Sequence, residues 1–105
     1  MIAISATARK LTASMDLKFV KCRCFLITDG KTSRFIGNPF CNDKEDAPAR
    51  VVGMLQIEGV TRLLTGEVGP EAKILLDKNR IQIIIPAGDK LGLQHILHKM
   101  GLIFP

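Results

Sequence analysis

Tryptophan and tyrosine are absent from this 105-residue chain, and its aromatic content is five phenylalanines. Proteins that grip single-stranded nucleic acid stack its bases on aromatic rings, so that mode of binding has little surface to use here. No apolar run reaches the ~18 residues that a membrane helix requires, so no membrane partner is expected. The opening residues Met1-Ile2-Ala3-Ile4-Ser5-Ala6 are too few and too uncharged for a secretory signal and read as a buried strand. Three cysteines cannot all pair with one another. A complete disulfide framework is thereby excluded, and a reducing cytoplasmic setting is expected. The motifs G-x-S-x-G, H-E-x-x-H and G-x-G-x-x-G are also missing, as is a phosphate-loop lysine.

What remains has the make-up of a globular domain: 47% hydrophobic and 24% charged residues. The length suits one domain over residues 1–105 with a single core. The formal net charge is +5, and it is unevenly spread. Between residues 7 and 34, Arg9, Lys10, Lys18, Lys21, Arg23, Lys31 and Arg34 face only Asp16 and Asp29. The remaining basic and acidic residues cancel, so an anionic partner belongs with the N-terminal third.

Residues 2–6 form the first expected strand and residues 7–18 a loop. Phe19 to Thr28 is a second strand and Ser33 to Gly37 a third, joined by the turn residues Asp29-Gly30 into a hairpin. Asn38-Pro39 ends it, because proline cannot donate to a ladder. Asp46 is placed to cap a helix with Ala47, Val51, Met54 and Leu55 on one face, ended by Gly59. Val60 to Thr65 is a strand, followed by a helix carrying Ala72, Leu75 and Leu76. Ile81 to Ile85 reads as a strand covered on both faces. After Pro86-Ala87-Gly88, Asp89 caps a last helix with the stripe Leu93, Ile96, Leu97 and Met100. Helix between late strands implies parallel pairing, and the early hairpin adds an antiparallel strand.

Three stretches, Cys22-Arg23-Cys24-Phe25-Leu26-Ile27-Thr28-Asp29, Asn38-Pro39-Phe40 and Thr65-Gly66-Glu67-Val68-Gly69-Pro70-Glu71-Ala72, together resemble the dinitrogenase iron–molybdenum cofactor biosynthesis family. The likeness runs over roughly residues 1 to 86. It implies an α/β ribonuclease H-like motif of three layers, with a five-stranded mixed sheet of order 3-2-1-4-5 in which strand 2 is antiparallel. It further implies a carrier of an iron–sulfur or iron–molybdenum-type cluster, with cofactor-assembly or acceptor proteins as partners. Where the family often has His-Phe-Gly-Arg, this chain has Lys18-Phe19-Val20-Lys21, without the histidine. The first strand also lacks the carboxylate that a ribonuclease H-like nuclease needs for its metals, so no enzyme activity is expected.

Cys22 and Cys24, two apart on the expected second strand, should share one face with Cα atoms ~6.5–7 Å apart. That spacing is long for a disulfide and suits two thiolates on a cluster edge, with Lys18, Lys21 and Arg23 favouring the anionic thiol. The alternative is that both are small buried hydrophobes beside Leu26. Cys41, in a polar loop, is a candidate third metal ligand. Gly66 and Gly69 either hold a cofactor at the following helix or serve a tight turn. His95 and His98 should be solvated, and Ile57 and Ile74, off their helices' apolar stripes, could face a partner.

Overall fold

Strand β1 (Ile2–Ala6) is buried at every position, as a central strand covered on both faces must be. In this computed structural model, which describes residues 1–43, 47–86 and 92–101, the chain continues through β2 (Cys24–Thr28), β3 (Ser33–Gly37), α1 (Ala47–Ile57), β4 (Arg62–Leu64), α2 (Pro70–Lys78), β5 (Gln82–Ile84) and α3 (Leu93–Lys99). The sheet order is β3-β2-β1-β4-β5. β2 runs antiparallel to both β1 and β3, whereas β4 is parallel to β1 and β5 is parallel to β4. The expected order and the antiparallel second strand are both present. The caps expected at Asp46 and Asp89 lie outside the described residues.

Successive strand residues point to opposite faces, and this divides the core in two. Ala3, Phe25, Ile27 and Leu63 meet Val51, Val52 and Leu55 of α1 and Ala72 and Leu76 of α2. Ile2, Ile4, Leu26 and Leu64 meet Leu93, Ile96 and Leu97 of α3 on the other face. Each fully buried aliphatic or aromatic side chain contributes roughly 1.5–3 kcal/mol, so both layers are needed. The 7–18 loop completes the second layer. Ala13 and Met15 are buried there, a bridge joins Ala6 to Met15, and the Ala13 carbonyl accepts the amide of Leu93.

Two strand expectations require correction. β2 begins at Cys24 and not at Phe19. Phe19 is drawn into the core against Phe25, edge to face at 5.9 Å between ring centroids. The carbonyls of Val20 and Cys22 are taken at 2.8 and 2.9 Å by the side-chain amide of Asn38. Their backbone is therefore satisfied by a side chain and has no need of a ladder. β5 is an edge strand. Ile83 and Ile84 are only half-buried and Ile85 is 59% exposed, because no further strand or helix covers that side among the described residues.

Gly66 is required by close passage of the chain. A Cβ there would lie 2.7–2.9 Å from Cδ2, Cα and O of Leu17. The pass is held by a bridge between Lys18 and Glu67. The steric cause at Gly66 is thus close packing against Leu17, which neither expected reading of this loop named.

Candidate functional site

Pairing aligns Ala6 with Cys24 and Cys24 with Gly37, so these three residues form the last row of the β1-β2-β3 half of the sheet. Three chain segments run on from that row. Ala8 and Arg9 follow β1, Lys21 and Arg23 precede β2, and Cys41 and Asn42 follow β3. With Cys24 they line a cavity of about 600 Å³. Its lining contains three cationic side chains and two thiols and no carboxylate. Among the described residues, the ion pairs are Arg34 with Glu58 and Arg50 with Asp43, so none of the three cavity cations is spent on one.

Two of the three walls are fastened by Asn38, which is 4% exposed. Its side-chain amide donates to the carbonyls of Val20 and Cys22, on either side of Lys21. Its own backbone N–H donates to the Arg23 carbonyl at 2.9 Å, and its side-chain oxygen accepts the amide of Phe40 at 3.1 Å. The turn bearing Cys41 is thereby tied to the turn bearing Lys21 and Arg23. Arg50 closes over Phe40 at 5.9 Å from the ring centroid and pairs with Asp43.

The cysteines separate. Cys24 is 1% exposed at the cavity wall, and its Sγ donates to the Ala6 carbonyl at 3.7 Å. Desolvation pushes its thiol up, Arg9 and Arg23 oppose the rise, and Asp16 reinforces it. Cys22 is fully buried and belongs with Phe19 and Phe25 in the α1/α2 half of the core, whereas Cys24 belongs with Leu26 in the α3 half. Burial, then the charges of Asp16 and Cys24, push the Cys22 thiol up to about 12, against smaller opposing effects of Asn38 and Ala6. The expectation of a shared face fails because the strand alternation begins only at Cys24. The expectation of lowered thiol pKa values fails because desolvation exceeds the attraction of the nearby cations. Cys41 is half-exposed in its loop.

Of the residues singled out in the sequence, Lys21, Arg23, Cys24 and Cys41 converge, joined by Arg9. Lys18 is exposed and lies with Glu67, outside the cavity lining. Gly66 and Gly69 lie in the β4–α2 connection, and a Cβ on Gly69 would meet nothing within 4 Å. Asn42 and Gly37 acquire their parts only through the fold; Asn38 is marked in the sequence within Asn38-Pro39-Phe40, but its hydrogen bonds to both turns arise only in the fold. Among the described residues no group of three or more His, Cys, Asp or Glu side chains could hold a metal ion. The cavity therefore suits an anion of some size, met by guanidinium and ammonium donors, with Cys41 the accessible thiol. His98 is exposed as expected. His95 is half-buried, because α3 sets it beside Leu64 and Ile84 in an apolar hollow of about 250 Å³. Ile57 and Ile74 are exposed, at 87% and 67%. No described helix is long and apolar enough to cross a membrane.

Residues 1–97 match the sequence model of the family described as dinitrogenase iron-molybdenum cofactor. No curated protein matches the sequence significantly. The fold is similar to the apo form of the orange protein from Desulfovibrio gigas, with a TM-score of 0.83 and 22% identity over 95% of this chain and 86% of that one. It is also similar to a Thermotoga protein described as NifB-like, with a TM-score of 0.77 and 20% identity over 95% of this chain and 85% of that one.

Proposed function

The chain belongs to the dinitrogenase iron–molybdenum cofactor family, and from that premise we propose that it binds an iron–sulfur or iron–molybdenum-type metallocluster and carries or delivers it during cofactor assembly. The observation that carries this reading is the cavity where Arg9, Lys21 and Arg23 surround Cys24 and Cys41 without a carboxylate. Sulfide-bridged clusters are commonly net anions, and three cations in one concave site favour such a cargo over a neutral or cationic one. Release to an acceptor needs few protein ligands. Cys24 is buried, with desolvation pushing its thiol up, whereas Cys41 is half-exposed, so Cys41 is the cavity thiol placed to ligate. The proposed role is non-catalytic and belongs in the cytoplasm.

Anaerobic reconstitution with ferrous iron, sulfide and molybdate, followed by absorption spectra and metal analysis, tests the reading. Stoichiometric metal with charge-transfer bands is expected for the wild type, and a lower loading for Cys41→Ser. Absence of bound metal under every reconstitution condition would remove the carrier reading.

Delivery requires a surface for the acceptor, and the exposure of Ile57 on α1 and Ile74 on α2 favours that pair. Ile57→Glu/Ile74→Glu should load cluster normally and slow its transfer to an apo acceptor protein. Transfer at the wild-type rate would take these helices out of the account.

A further inference from the structure

Gly37 stands directly opposite Cys24 at the end of β3, and the Arg9 guanidinium lies over it. A Cβ built on Gly37 would collide with Nη2 of Arg9 and stand 3.6 Å from its Cζ. Resting on the carrier reading above, we propose that Gly37 is a positioning residue for the anionic cargo and acts through Arg9. The missing side chain leaves a recess in the last row of the sheet. Arg9 otherwise projects from an exposed loop, where its long side chain would sample many rotamers. Laid into the recess, the guanidinium is held at the cavity wall next to Cys24, opposite the turn that carries Lys21 and Arg23. Its donors are then set before the cargo arrives, and less rotamer freedom is lost on binding.

The neighbouring residues agree with this division of labour. Asn38 fixes the two turns that form the other walls, through the backbone carbonyls of residues 20, 22 and 23 and the backbone amides of residues 40 and 41. The Arg9 side chain donates no hydrogen bond within the described residues, so the recess at Gly37 is what orients it. The clash that alanine would introduce is with the far end of a flexible side chain. The fold can therefore accept Gly37→Ala while Arg9 is turned out.

The test is a double-mutant cycle of Gly37→Ala and Arg9→Ala, titrated with tetrathiomolybdate as a sulfide-ligated metal dianion. Gly37→Ala should weaken binding by about tenfold, the scale of one charge-assisted hydrogen bond. Arg9→Ala should weaken it at least as much, and the double variant should bind no more weakly than Arg9→Ala alone. A second readout needs no cargo. Nuclear Overhauser contacts between the Gly37 Hα protons and the Arg9 side chain should be seen in the wild type. In Gly37→Ala, the contacts of the Arg9 side chain to the backbone at position 37 should be lost. Multiplying effects in the cycle, or wild-type affinity in Gly37→Ala, would overturn the positioning role and leave the carrier reading standing. Absence of binding by the wild type, with the Overhauser contacts present, would overturn the cargo assignment while leaving the Gly37–Arg9 geometry intact.

Discussion

Lys21→Glu/Arg23→Glu should lower the affinity for a sulfide-ligated metal anion by about 100-fold or more, equivalent to roughly 2.8 kcal/mol of binding free energy. Both side chains are exposed at the cavity, and both precede β2, so neither packs in the core. Each exchange turns an attraction into a like-charge contact, which costs several kcal/mol in a binding site. Only Arg9 would remain to oppose the two new carboxylates. Stability should change little, because the hydrogen bonds that hold this turn run from Asn38 to backbone carbonyls and not to these side chains. Titration at low and at moderate salt separates charge from ligation. Screening shortens the reach of each cation to about 8 Å at 0.15 M, so wild-type affinity should fall as salt rises. Wild-type affinity in the folded double variant would take this cavity out of consideration. Salt-independent binding by the wild type would shift the weight to direct ligation by Cys41.

The cation supply of this site is legible in the sequence, whereas its convergence is not. The excess of basic residues between positions 7 and 34 needs no structure to be seen. The cavity draws on positions 8–9, 21–24 and 41–42, and only the closing of β1, β2 and β3 brings them together. Lys18 illustrates the difference. It belongs to the same basic stretch, but the narrow pass between Leu17 and Gly66 turns it toward Glu67 and away from the cavity. Gly37 shows the opposite case, a residue without a side chain whose role depends on Arg9, twenty-eight positions earlier in the sequence.

The strand order is readable because two kinds of signal agree. Apolar runs and turn residues mark the elements, and the resemblance carried by Thr65-Gly66-Glu67-Val68-Gly69-Pro70 supplies their arrangement. Boundaries are less readable. Phe19 to Thr28 is continuously β-favouring, and local propensity cannot reveal that Asn38 will claim two carbonyls of its first half. Ile81 to Ile85 has the composition of a central strand, yet Ile85 ends on an exposed edge because β5 closes the sheet order.

The same hidden boundary gives Cys22 its character, and with it a pH dependence. An unfolded Cys22 thiol titrates near 9.0, whereas the folded one keeps its proton up to about 12. Below pH 9 both states hold that proton, and the group contributes its full share to stability. As pH rises from 9 toward 12 the unfolded chain releases the proton and the native protein does not. Stability must therefore fall across that window, by up to about 4 kcal/mol from this group alone. Cys24 acts in the same direction, since its thiol is also raised. Urea melts under reductant at intervals from pH 8 to pH 11 should show a steep decline in the wild type. Cys22→Ala should flatten that decline although it loses some packing at neutral pH. Asp16→Asn should flatten it less, because the Asp16 charge is second to burial among the causes, and asparagine keeps an oxygen to accept the Lys18 amide. An unchanged slope in Cys22→Ala would show that this thiol is hydrated in solution. It would then return as a candidate ligand beside Cys41. A flattened slope would identify Cys22 as a core residue whose sulfur takes no part in holding the cargo.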